Sequence, residues 1–126
     1  MGYLIVFLGA GVGGAMRHGV NMVVMRLGWT TFPVSTLAVN VVGSFLIGVI
    51  AEYFALNTHL PQHWRLFLTT GILGGFTTFS AFSFDAVILY ERNKLALAAV
   101  YVLTSVFLSI AALFAAIAIT RSLVKV

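Results

Sequence analysis

The chain has 126 residues, 61% of them hydrophobic and only 8% charged, with a formal net charge of +4. A soluble domain carries about 25% charged residues and needs polar side chains to cover a small fold, and a disordered chain is polar and poor in aromatics, so both classes are excluded. The absence of cysteine removes a disulfide framework, a thiol nucleophile and a thiolate metal site. The Lys and Arg residues are scattered rather than gathered in a basic tract, which argues against nucleic acid as a partner.

A membrane-spanning helix needs about 20 apolar residues, so four spans use about 80–90 residues and leave short loops. The predicted fold is an all-α membrane protein, with residues 1–126 forming a single four-helix transmembrane domain. Span one is predicted from about Tyr3 to Val24, with Arg17 and His18 toward its far end. No positive stretch precedes its apolar run, so it reads as a retained span and not as a cleaved signal peptide. After Gly28, Trp29, Thr30 and Thr31 comes Pro33, which suits the first turn of a new helix because its missing N–H is an orphan there anyway. Span two runs from about Val34 to Tyr53, and a polar break follows at Asn57, Thr58, His59 and Pro61. Span three covers about Leu66 to Leu89, a turn follows at Glu91–Lys94, and span four covers Leu95 to Thr120. Trp29, Trp64 and Tyr90 stand at span ends, where aromatic belts form.

Orientation follows the positive residues on the loops. Arg65, Arg121 and Lys125 fall on one side, and Arg26, Arg92 and Lys94 on the other. Arg17 joins the second group when it is counted at the end of its span. Two readings stay open: one topology wins by a small margin, or copies insert both ways and pair antiparallel. The halves show no alignable repeat.

Gly9, Gly11 and Gly14 match G-x-G-x-x-G in letter only, because no strand precedes them and the next acid is Glu52. Gly9 and Gly13, and Ala10 and Gly14, are four apart and place small residues on a helix face for close packing in lipid. Asn40 lies in the middle of span two, with Ser44 and Gly48 at four-residue steps. It is either interhelical glue, worth about 0.6–2 kcal/mol, or a pore-lining donor.

The third span holds Gly71, Gly74 and Gly75, then Thr77, Thr78, Ser80 and Ser83. Each glycine costs a helix about 1 kcal/mol against alanine. The stretch therefore predicts a break at membrane depth, where unwound carbonyls can hold a cation. Phe79 and Phe82 share a helix face. Their positive ring edges can meet an anion, or the rings can simply pack in lipid. Tyr101, Ser105 and Ser109 set three hydroxyls in a row about 12 Å long.

His59 and His63 read as solvated loop residues before they read as a zinc site. Glu52 and Asp85 are acids near span interiors and so candidate proton carriers. Arg17 either snorkels or gathers anions in a vestibule. No nucleophile–base–orienter set is present, so no enzyme is predicted.

Together these motifs resemble the Fluc fluoride channels, the CrcB-like family, over nearly the whole chain. The resemblance rests on Gly14-Ala15-x-Arg17, Thr36-Leu37-x-x-Asn40, Gly71-x-x-Gly74-Gly75-x-Thr77-Thr78-Phe79-Ser80-x-Phe82-Ser83 and Tyr101-x-x-x-Ser105-x-x-x-Ser109. Ala81 stands where Thr is common in the family, and Asp85 where Glu is common.

The resemblance implies a passive fluoride channel that exports fluoride across a prokaryotic inner membrane and confers fluoride resistance. It implies an antiparallel dual-topology homodimer with two pores and a broken third helix. In that reading Phe79 and Phe82 offer ring edges to fluoride, Asn40 offers an amide donor, and Tyr101, Ser105 and Ser109 continue the path. Gly74 and Thr77 would give backbone carbonyls to a central structural sodium ion, and Arg17 would favour anions at the vestibule.

Two other functions fit part of the sequence. A small dual-topology multidrug exporter uses a membrane-embedded Glu in its first span, and here no acid precedes Glu52. A non-transporting subunit of a membrane complex explains the hydrophobicity but not the hydroxyl row or the Gly-Thr-Phe stretch.

Overall fold

Backbone N–H and C=O groups in hydrocarbon find no water, so a chain this apolar satisfies them within helices. The computed structural model describes residues 1–124, and these contain four helices long and apolar enough to cross a membrane and no strand. The first is α1 (Gly2–Arg26) and the second α2 (Val34–Leu56). The third span is assembled from pieces: α3 (Gln62–Leu66), a π-helical segment (Phe67–Leu73), α4 (Gly74–Phe76) and α5 (Phe79–Glu91). The fourth is α6 (Leu95–Val124). Lys125, counted above with Arg65 and Arg121, lies outside the described residues.

The predicted spans match these elements, with each helix running a few residues further. Arg26 ends α1, where a positive charge suits the negative end of the helix dipole. Gly28 then turns the chain at φ +76°, a left-handed conformation that costs glycine nothing. Pro33 sits just ahead of α2, whose Leu37 N–H bonds back to its carbonyl.

Small residues decide how α1 meets the third span. Gly9 and Gly13 are buried. A Cβ on Gly9 would stand 2.8 Å from the Cα of Gly71, and one on Gly13 would run into the carbonyl of Ile72. A Cβ on Gly75 would likewise strike the backbone of Ala10. Backbones therefore meet directly, the usual device for packing in lipid, where apolar side chains gain nothing from leaving solvent. The Gly9–Gly13 face is the one predicted. Gly14 faces open space, so the Ala10–Gly14 pair is not a contact of this kind.

The longest packed seam joins α2 to α6, where Gly48 lies against Ala116 and Leu113. One buried cluster gathers Val39, Leu73 and Phe76, and a second gathers Leu89, Ala98 and Tyr101. At most 22% of the most apolar window of any span is buried inside the chain, so most of the helical surface is left for lipid or for another copy.

The third span breaks inside the predicted stretch, at its threonines and not at its glycines. Gly71, Gly74 and Gly75 all lie in helix, and the chain leaves helical geometry at Thr77 (ψ 159°) and Thr78 (φ −155°). Gly71 and Gly75 serve the close approach of α1 instead. The π-helical stretch just before the break shifts the register of the turns by a residue, a distortion often found at functional sites.

Candidate functional site

Where a helix breaks inside a membrane, its orphaned backbone groups need partners. In a continuous helix the Thr78 N–H would bond to Gly74. Here it donates to Asn40 Oδ1 at 2.8 Å, while Asn40 Nδ2 donates to the Thr78 carbonyl at 3.1 Å. One carboxamide thus satisfies both backbone groups of one residue. Its orientation is fixed by chemistry, since the N–H requires the oxygen and the carbonyl requires the nitrogen. The second Nδ2 hydrogen is then left for a further acceptor.

The rest of the break is bonded locally. The Leu73 carbonyl accepts from the Thr77 N–H at 3.0 Å and from Thr77 Oγ1 at 2.9 Å. Thr78 caps α5, its Oγ1 accepting the Ala81 N–H at 3.1 Å. Arg17 reaches across from α1, and its Nε donates to the Gly75 carbonyl at 3.1 Å. Among the described residues, these bonds leave the carbonyls of Gly74, Phe76 and Thr77 without a partner.

Beside the break lies a cavity of about 430 Å³. Asn40 and Ser44 of α2, Phe79 and Phe82 of α5, and Ser105 and Ser109 of α6 all line it, as do Gly74 and Thr77. The Phe79 and Phe82 ring centres are 5.6 Å apart, and Phe82 stands 5.3 Å from the fully buried Tyr101 ring. Phe79 is 78% exposed, so the cavity is walled on one flank by a ring that the chain itself does not cover. Ser105 Oγ is buried and has no hydrogen-bond partner among the described residues. An unpaired hydroxyl at such depth is a donor held in readiness.

Tyr101 extends the polar row away from the cavity. Its hydroxyl donates to Asp85 Oδ2 at 3.2 Å, and its ring meets Phe32 edge-on. Asp85 in turn lines a second cavity of about 440 Å³ that also touches Thr36 and Arg92.

Most of the predicted site residues are therefore gathered in one place: Asn40, Phe79, Phe82, Ser105 and Ser109 around the cavity, with Tyr101 next to Phe82. Arg17 is half-buried and lies against the break. Glu52 is held in an ion pair by Arg121, whose Nε stands 2.8 Å from Glu52 Oε2. His59 is exposed on the connection between α2 and the third span, and His63 is exposed on α3. Thr78 carried no individual role in the sequence reading, although a threonine just ahead of a helical run is an N-cap signal. The Glu52–Arg121 pair had no such signal, because the partners are far apart in sequence.

Comparison with known proteins agrees with this geometry. A family model described as CrcB-like protein, Camphor Resistance (CrcB), matches residues 4–117. A protein of Granulibacter bethesdensis named fluoride-specific ion channel FluC is 62% identical over 125 residues, covering 99% of this chain and 98% of its own. A protein of the same name from Rhodopseudomonas palustris is 56% identical over 123 residues, with 98% and 99% covered. Another from Agrobacterium fabrum is 51% identical over 119 residues, with 94% and 95% covered. With four apolar spans, a family model matched over residues 4–117 and relatives matched along nearly their whole length, the chain belongs to the CrcB-like family of multi-pass membrane proteins.

Proposed function

We propose that this protein is a passive, fluoride-specific channel of the bacterial inner membrane that lets the anion leave the cytoplasm. The observation that carries the reading is the cavity beside the break, which polar side chains and two phenylalanine rings line together and which no Lys or Arg among the described residues lines. Fluoride is small and strongly hydrated, so a path for it replaces water with donors in series. The free Asn40 N–H, the Ser105 and Ser109 hydroxyls and the edges of Phe79 and Phe82 supply these. A fixed cation among them would trap the ion, since conduction needs binding weak enough to release it.

The functional unit is an antiparallel homodimer of dual-topology chains, with two pores. The near balance of positive residues on the two faces supports this, and so does the exposed Phe79 flank, which a second copy would cover. A structural sodium ion is part of the same reading. Gly74 is exposed and its carbonyl unpaired, as is that of Thr77, and hard oxygen donors of this kind suit a small cation. When bound between two copies, the ion would fix the two breaks against each other.

The test is fluoride efflux from liposomes carrying the purified protein. Phe82→Ile keeps an apolar side chain but removes the ring edge, and it is expected to cut fluoride efflux more than about tenfold while the protein stays folded. Undiminished efflux in a folded F82I variant would remove Phe82 from the path.

A further inference from the structure

Arg17 reads from the sequence as a snorkelling residue or, by the family resemblance, as an anion-gathering charge at a vestibule, and its place in the structure points to a further task. The Gly75 carbonyl belongs to the last turn before the break. In a continuous helix it would accept from the N–H of Phe79. The extended backbone at Thr77 and Thr78 carries Phe79 into a new helix and leaves that carbonyl orphaned at membrane depth. Arg17 Nε supplies the missing donor at 3.1 Å. A positive group here also suits the negative end of the half-helix that stops at Phe76. The same Gly75 seats its Cα directly on the backbone of Ala10, so α1 grips this turn by packing and by a hydrogen bond together.

The break is thus held from two sides. Arg17 of α1 takes the Gly75 carbonyl, and Asn40 of α2 takes the N–H and carbonyl of Thr78. The free carbonyl of Thr77 lies between these two anchors, that of Gly74 one residue ahead of the first, and the Phe79 ring just beyond the second. Losing either anchor would let the intervening residues rotate.

We propose that Arg17 is a positioning residue. Its Nε–H clamps the Gly75 carbonyl and so fixes the direction in which the Gly74 and Thr77 carbonyls and the Phe79 ring point. What it contributes to transport is a placed donor and not a charge that attracts anions. The inference rests on the channel reading for its effect on flux, though not for the clamp itself.

Side-chain chemistry separates donor from charge. Glutamine carries its Nε2 the same number of bonds from Cα as arginine carries Nε, so Arg17→Gln keeps a donor in position and removes the charge. Lysine keeps the charge but places its nitrogen one bond further, so Arg17→Lys removes the placed donor. The full-length protein and both variants are reconstituted in lipid nanodiscs for amide hydrogen exchange across residues 74–82, and in liposomes for fluoride efflux. The expected result is exchange in R17Q close to that of the original protein and efflux within about threefold of it. R17K is expected to exchange faster across the break and to lose about tenfold or more in efflux, the scale of one hydrogen bond made by a charged group.

Normal exchange and efflux in R17K with loss in R17Q would overturn the clamp in favour of a charge effect. Equal loss in both variants, or no change in either, would overturn it as well. If the original protein passes no fluoride, the channel reading falls while the exchange comparison still decides the clamp.

Discussion

Asn40 holds the break together and, on the proposed reading, also serves as a donor to the anion. From its residue type and place in the span, glue and pore donor were alternatives. In the structure the glue is what aims the donor: two of its polar contacts go to Thr78, and the remaining N–H belongs to a cavity-lining group. Asn40→Asp should therefore fail twice. It puts an acceptor oxygen against the Thr78 carbonyl and a negative charge in an anion path. Fluoride efflux is expected to fall more than about tenfold, and the folded state to lose about 1–3 kcal/mol, the cost of an unsatisfied buried group. Efflux and thermal unfolding of the variant measure both. The row Tyr101, Ser105, Ser109 was legible because four-residue spacing is a property of the sequence. That Tyr101 is fully buried and held by Asp85 was not, since it depends on the turn of α5 that lies opposite.

At the scale of elements, the four spans were legible almost to their ends, because long uncharged runs between polar turns leave lipid-spanning helices as the outcome. The break was legible in its existence, and it falls inside the predicted stretch, at Thr77 and Thr78. Glycine signals both helix weakness and close approach, and which of the two applies is set by the neighbouring helix. Here α1 lies on Gly71 and Gly75, so the helix holds through them and yields at Thr77 and Thr78, where Asn40 offers substitute bonds. The π-helical turn had no signal in composition. The glycines of α1 give a paired test. Gly13→Ala would drive a methyl group into the Ile72 carbonyl and is expected to cost about 1–3 kcal/mol by overpacking. Gly14→Ala meets nothing within 4 Å and is expected to change stability by no more than about 1 kcal/mol, in the favourable direction. Thermal unfolding in detergent compares them directly, and equal effects would contradict the packing described for α1.

At the scale of the whole molecule, one copy leaves its cavity flanked by an exposed ring and leaves most helical surface uncovered. Its charges scarcely choose a side of the membrane. Both features fit two opposed copies. Adding two lysines to one loop should fix insertion in a single orientation and abolish efflux when that variant is expressed alone. Co-expression with a variant fixed the other way should restore it, and full activity of one fixed variant would contradict the antiparallel dimer. Replacing sodium by a large organic cation should weaken the dimer, as seen by size-exclusion chromatography in detergent. The counts of Arg and Lys left both a single topology and an antiparallel pair open, and the carbonyls of Gly74 and Thr77 were named from the family resemblance; that they lack partners needed the hydrogen-bond pattern of the break to be seen.

In the proposed channel, neutral donors and ring edges make a path for one small anion. Efflux of fluoride and of chloride from liposomes holding the purified protein, without a proton gradient, tests it most directly. Fluoride efflux far above that of chloride is the expected result. Equal efflux of the two ions, or fluoride movement only when a proton gradient is imposed, would contradict it.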